Sequence, residues 1–234
     1  MNANIFAKAN QILKNSTDAY FGVTDESGYP SVSTVSVINP ENIFELYFST
    51  GLQSNKVKRL QSDKRASICF HIGNDNVTLV GEAEILTDQE TKSRYWMGWL
   101  DHFPGGETDP AYCIIKFTAK RVSLWIDNED SAFTIYELLT VQSRCGLLCH
   151  GCNSFLNSSC KGCIALNGKA SWRDHGYCNE SKCCIDKGFN HCGECPDFPC
   201  EGLRGMSCGD DDECDKPKGA RIAVCKAWAE RNRR

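Results

Sequence analysis

Cysteine is spread so unevenly along this chain that it divides the sequence in two. Of 16 cysteines, only Cys69 and Cys113 precede residue 145; the others run from Cys145 to Cys225. They form Cys145-x3-Cys149-x2-Cys152, Cys160-x2-Cys163, Cys178-x4-Cys183-Cys184 and Cys192-x2-Cys195-x4-Cys200, followed by Cys208, Cys214 and Cys225. A segment this rich in thiols is held either by disulfides or by metal–thiolate bonds. The opening residues, from Met1 to Asn10, lack the basic patch and apolar core of an export signal, so a reducing cytoplasm is expected and metal is favoured.

Two thiolates separated by two residues can meet one ion from a tight turn, and zinc takes four such ligands. Behind Cys145, the pairs Cys149/Cys152 and Cys160/Cys163 compose one expected zinc site. Cys183 or Cys184 with Cys192, Cys195 and Cys200 compose a second. His150, His175 or His191 could replace a thiolate, and Gly146 and Gly193 suit the turns that such knuckles need. An iron–sulfur cluster is the alternative, because thiolates suit it equally. The pattern at Cys145, Cys149 and Cys152 also occurs in radical enzymes that use S-adenosylmethionine, but those need a long β/α barrel after the motif. Cys192-Gly-Glu-Cys195 lacks the βαβ surroundings of a redox dithiol. Residues 145–216 hold few large apolar side chains, so bound metal is expected to contribute much of their folding energy.

The first 130 residues read differently. Helical spacing of Ile5, Phe6, Ala9, Ile12 and Leu13 predicts a helix over residues 4–15. Strands are predicted at 19–24, 31–38, 43–49, 66–72, 77–86, 112–118 and 121–126, with helices at 54–61, 88–100 and 132–140. Short strands with few helices point to a small barrel. The fold class is therefore mainly β with α: a split β-barrel over 1–130, a linker helix over 131–144, and a small irregular Cys-rich metal-binding domain over 145–234 with a C-terminal helix at 217–232. A net charge of -4 supplies no general attraction for nucleic acid. The basic end Arg231-Asn-Arg-Arg234 suits a helix C-terminus, and Asp210–Asp215 is a short acidic run. No apolar run is long enough to span a bilayer.

One segment of the barrel carries chemistry. Tyr47-Phe-Ser49-Thr50-Gly-Leu-Gln-Ser54-Asn55-Lys56 runs from a strand with two terminal hydroxyls, through a glycine, into a helix that Ser54 or Asn55 can cap. Unpaired amides and a partial positive charge at that helix start, together with Lys56, can hold an anion. An ordinary capped, solvated basic helix would present the same local pattern.

Residues 17–127 resemble the flavin-binding split barrels of the pyridoxamine phosphate oxidase-like family, in its general stress protein branch. The resemblance rests on Ala19–Pro30, Ser33–Val37, Leu46–Thr50 with Ser54–Leu60, Val80–Glu84, and the excursion through Trp96, His102–Gly106 and Asp109-Pro110. It implies a homodimer with two FMN sites at the subunit interface. Ser49, Thr50, Ser54, Asn55 and Lys56 would hold the phosphate, Ser33, Val35 and Ser36 would border the ring, and Trp125 would either pack near the ring from the partner or fill the core. Such oxidases carry a C-terminal Arg-x-His clamp and an arginine where this chain has Ser33. Their absence points away from vitamin B6 oxidation and towards a flavin-dependent oxidoreductase, or a flavin-binding or sensing module. The small-molecule or electron-transfer partner is left open. Residues 145–229 are similar to a Cys-rich domain of unassigned function, through Cys145-Gly-Leu, Cys183-Cys184 and Cys192–Cys200; that similarity implies zinc.

Overall fold

The computed structural model describes residues 3–16, 18–101, 103, 105–149, 155, 157–169, 176–210, 214–215 and 217–231. The chain divides into two compact units: residues 9–135, and residues 136–234 together with 1–8. Among the described residues no helix is long and apolar enough to cross a membrane.

The first unit is built on one antiparallel sheet. Its strands are β1 (Ala19–Thr24), β2 (Pro30–Val35), β3 (Glu45–Gly51), β4 (Arg65–Ile72), β5 (Asp75–Leu86), β6 (Tyr112–Ile126) and β7 (Glu129–Thr134). The order is β2-β1-β4-β5-β6-β3, with β7 pairing β6. A bridge between Val37 and Phe48, with the Ile38 amide donating to the Tyr47 carbonyl at 2.7 Å, joins the two ends of that order and closes the barrel. Alternation decides which side chains enter. Phe21, Phe48, Ile68, Leu79 and Phe117 are fully buried, and Phe21 meets Phe48 edge-on at 4.8 Å between ring centres.

Three helices flank the sheet: α1 (Ala3–Asn15), α2 (Asn55–Ser62) and α3 (Gln89–Arg94). Ala9, Ile12 and Leu13 form the buried stripe of α1. The segment predicted as one helix over 88–100 is shorter. It is α3, with Asp88 capping through the Thr91 amide, followed by a single 3-10 turn at Gly98–Leu100. Around it lies a second buried layer: Ile38, Tyr112 and Ile114, against Tyr47, Tyr95, Trp96 and Phe103.

Strand β6 was expected as two strands; it is one strand of 15 residues with an irregularity. Val80 pairs Arg121 and Gly81 pairs Ala119, so Lys120 is the extra residue of a bulge. A Cβ on Gly81 would lie 2.0 Å from the Thr118 carbonyl oxygen. Gly81→Ala is therefore expected to force the two backbones apart and destabilise the barrel by about 3 kcal/mol, read as a lowered urea midpoint. The helix expected over 132–140 is also divided. Residues 129–134 are β7, and only Ile135–Leu139 are helical (α4).

Among the described residues, α4 is followed in the second unit by the helices α5 (Asn179–Asp186), α6 (Glu201–Cys208) and α7 (Ala220–Arg231). Helix α7 is the element expected at the C-terminus. Its start is fixed by Asp215, whose carboxylate accepts from the Arg221 amide at 2.8 Å and the Ser207 hydroxyl at 2.5 Å. Its far end docks on α4: the Trp228 indole donates to the Leu138 carbonyl at 3.0 Å, and Arg231 donates to Leu139. Residues 211–213 of the acidic run and the last three residues of the basic tail lie outside the described residues.

Candidate functional site

The anion motif lies where β3 hands over to α2. Successive side chains of β3 point to opposite faces, so its two terminal hydroxyls separate. Thr50 is buried on the face of Leu46 and Phe48, whereas Ser49 shares the face of Glu45 and Tyr47. Thr50, Ser54 and Lys56 converge: Lys56 Nζ donates to Thr50 Oγ1 at 3.2 Å, and the Thr50 and Ser54 hydroxyls are 3.5 Å apart. Ser54 is the N-cap residue of α2 by its backbone, yet its side chain makes no capping hydrogen bond. Its hydroxyl faces Thr50, which leaves the first amides of α2 without a side-chain cap. Lys56 is half-buried, and that desolvation lowers its pKa below the ordinary lysine value.

Cys113 sits across from Thr50 in the β3–β6 register and donates to the Thr50 carbonyl at 3.7 Å. Burial pushes its thiol up to about 11, although the charges of Lys92 and Lys56 act in the other direction. Lys92, on α3, is itself buried; it donates to the Asp109 carbonyl and lies 4.3 Å from the centre of the Tyr112 ring. Neither Lys92 nor Cys113 is found by sequence reasoning, since a lysine in a polar helix and a cysteine in an apolar strand carry no signal.

The residues expected around a ring are placed by β2. Ser31, Ser33 and Val35 pair Val23, Phe21 and Ala19, so they occupy the inward face; Val35 is buried and Ser33 half-buried. Arg59 of α2 donates to the Ser31 hydroxyl, which ties this edge strand to the anion motif. Ser36 is exposed and lies 3.4 Å from Asp18. Asn55 opens α2 as its first residue. Trp125 is not a core residue: Leu124 and Ile126 take the inward positions and Trp125 is 39% exposed on the outer face. Tyr20 and Val32 are exposed on that same outer face.

In the second unit every described cysteine is a free thiol. Cys152, His150 and His175 lie outside the described residues. Among the described residues no three His, Cys, Asp or Glu side chains converge as a metal-binding group. The cysteines come close in pairs. Cys184 and Cys192 are 3.6 Å apart, and Cys163 donates to Cys149. That donation lowers the Cys149 pKa, and the same arrangement favours the thiolate of Cys184 over that of Cys192. Cys160 accepts from the Gly162 amide at 3.4 Å. Cys183, Cys184, Cys192, Cys195 and Cys200 line one cavity of about 110 Å³, together with Lys187, Phe189 and Phe198. His191 is wholly buried; its Nδ1 accepts from the Gly193 amide at 3.1 Å and its ring meets Trp228 edge-on. A thiol-lined, largely apolar pocket of this kind has the donor chemistry of a soft metal site.

Residues 5–126 match the family described as pyridoxamine 5'-phosphate oxidase, and residues 141–205 match a family described as a protein of unknown function (DUF3795). No curated protein matches the chain. Among solved structures, a protein from Clostridium acetobutylicum related to general stress protein 26 of B. subtilis aligns with a TM-score of 0.55 at 24% identity, covering 58% of this chain and 99% of its own. General stress protein 26 from Bacillus anthracis str. Sterne aligns at 0.49 and 19% identity, over 56% and 99% of the two chains. A heme binding protein from Mycobacterium smegmatis aligns at 0.45 and 16% identity, over 56% and 57%. The first of these shares the fold of the barrel.

Proposed function

The chain belongs, through residues 5–126, to the pyridoxamine 5'-phosphate oxidase family, and from that premise we propose that its barrel binds FMN and acts as a flavin-dependent oxidoreductase, with a thiolate–metal domain appended. The observation that carries the reading is the half-buried Lys56 bound to Thr50 beside an uncapped helix start. A phosphate there would meet one ammonium, two hydroxyls and the first amides of α2, all preorganised. Thr50, Ser54, Asn55 and Lys56 would hold it, and Ser49 would reach it only past the edge of β3. Ser33 and Val35 would border the ring.

When bound, FMN supplies hydride or single-electron chemistry. The chain's part is to anchor the phosphate, to fix the ring against β2, and to exclude water. The exposed outer face with Tyr20, Val32 and Trp125 would be covered in a homodimer, which brings the partner's aromatic surface to the site. The zinc reading of the second unit rests on its thiol pairs and its thiol-lined cavity.

The test uses the full chain as purified. A yellow dimer that releases FMN on denaturation, and whose flavin is bleached by a reduced nicotinamide nucleotide, supports the proposal; a colourless protein that takes up no FMN overturns it. A pH series adds a sign. Because desolvation lowers the Lys56 pKa, the ammonium is lost on raising the pH sooner than for an ordinary lysine. FMN affinity is expected to fall along that alkaline limb, and the limb should be absent in Lys56→Met.

A further inference from the structure

Two buried thiols of the second unit touch. Cys184 Sγ is 3.6 Å from Cys192 Sγ, eight positions along the chain. Both residues are buried, whereas Cys183 and Cys200, which line the same cavity, are exposed. Among the described residues no third metal-binding side chain joins the pair.

The backbone sets this contact from both sides. Cys184 lies in the last turn of α5, and the chain turns back after it at Gly188, whose φ is +74°. The Phe189 amide then donates to the Cys184 carbonyl at 2.8 Å. Cys192 is fixed separately. Its amide donates to the Arg144 carbonyl at 2.7 Å, and the Arg144 guanidinium donates to the Phe189 carbonyl at 2.6 Å. Between them, the Asn190 amide donates to the Glu194 carboxylate at 2.7 Å. Backbone hydrogen bonds thus bring the two sulfurs together, as an intramolecular reaction requires.

The cavity decides what can reach them. Both thiols line its volume of about 110 Å³, with Lys187, Phe189 and Phe198. That is room for several waters or a small hydroperoxide, and too little for a peptide-sized disulfide.

We propose that Cys184 and Cys192 are a redox-active dithiol whose oxidant is a small hydroperoxide. One thiolate attacks the terminal peroxide oxygen and the O–O bond breaks. The other oxygen takes up the thiol's proton and leaves as an alcohol, or as water from hydrogen peroxide, and a sulfenic acid remains. The second thiol attacks that sulfur. A disulfide forms and the sulfenic oxygen leaves as water, so the peroxide gains the two electrons that the dithiol loses. Two molecules of a small thiol restore the pair by exchange and leave as their own disulfide. This goes beyond the metal reading and takes Cys184 and Cys192 out of its ligand set. It also pairs Cys192 with Cys184 rather than with Cys195.

The test maps disulfides in the full chain as purified, titrated with hydrogen peroxide and then alkylated. The first bond to form is expected to join Cys184 to Cys192, with bound zinc unchanged and the bond reversed by dithiothreitol. Cys184→Ser and Cys192→Ser should each lose that bond, and one of them should hold a sulfenic acid that dimedone traps. A first bond between other cysteines, or a pair left reduced while Cys183 and Cys200 oxidise, overturns the proposal. So does zinc released in step with the Cys184–Cys192 bond, which makes the two thiols ligands and leaves the metal reading standing. A chain without zinc that still forms this bond first supports the dithiol and overturns the metal reading. These outcomes are read on the unsubstituted chain, so they stand even where a serine unfolds the unit.

Discussion

Removing metal with a strong chelator is expected to unfold residues 136–234 while the barrel stays folded. The second unit has little else to hold it. Among the described residues its buried hydrocarbon side chains are Phe6, Leu138, Leu148, Leu203, Ala220, Val224, Ala227 and Trp228; six thiols (Cys145, Cys149, Cys178, Cys184, Cys192 and Cys225) and a few polar groups such as His191 and Ser207 make up the rest. Structural zinc in small thiolate domains contributes on the order of 10–16 kcal/mol of apparent binding energy at neutral pH. That is comparable to the whole stability of a typical domain, about 5–15 kcal/mol. Chelation should therefore remove the helical circular dichroism of α5, α6 and α7, open the chain to protease between residues 145 and 216, and leave the barrel's thermal transition in place. The competing expectation is equally concrete. Neutral thiols pack as small apolar groups, so a unit that keeps its helices and protease resistance in chelator is held by packing, and metal is then not what folds it.

The second large effect belongs to Lys56. Lys56→Met keeps the length of the side chain and removes the charge. A charge-assisted hydrogen bond contributes about 1.5–3 kcal/mol, so FMN should bind roughly 10- to 150-fold more weakly. Quenching of flavin fluorescence on titrating the flavin-free chain measures this. Riboflavin, which has the ring and no phosphate, should bind the parent and the variant alike. Equal losses for both ligands would mean that the substitution disturbed the barrel, and no loss for FMN would mean that its phosphate lies elsewhere.

The barrel was legible because its strands alternate. Phe21 and Val23, Leu46 and Phe48, and Ile68 and Phe70 are buried at every second position, and that period can be read without coordinates. Where alternation breaks, reading breaks too. The bulge at Lys120 shifts the phase of β6, so one strand looked like two. Strand β7 buries no full face, and its second half was therefore read as the start of the helix over 132–140. At the site, Thr50, Ser54 and Lys56 were legible as hydroxyls and a cation around a helix start. Ser49 was grouped with them by nearness in sequence, and the pleat of β3 turns it to the other face. Cys225 is the opposite case: it stands alone on a helix, far in sequence from any Cys-x2-Cys pair, and the folding of α7 sets it against Gly146 and Gly193.

Strand β6 makes a final point through its pleat. Cys113 turns towards Thr50 and the barrel interior, while Tyr112 and Ile114 turn towards the aromatic layer that holds Tyr95, Trp96 and Phe103. One thickness of backbone is thus a party wall between two rooms, the barrel interior with Thr50 at its edge and the aromatic layer outside. Sliding the strand by a single residue would exchange the tenants of both, so the partition can be kept only by preserving its phase, and remodelling either room must leave the wall where it stands.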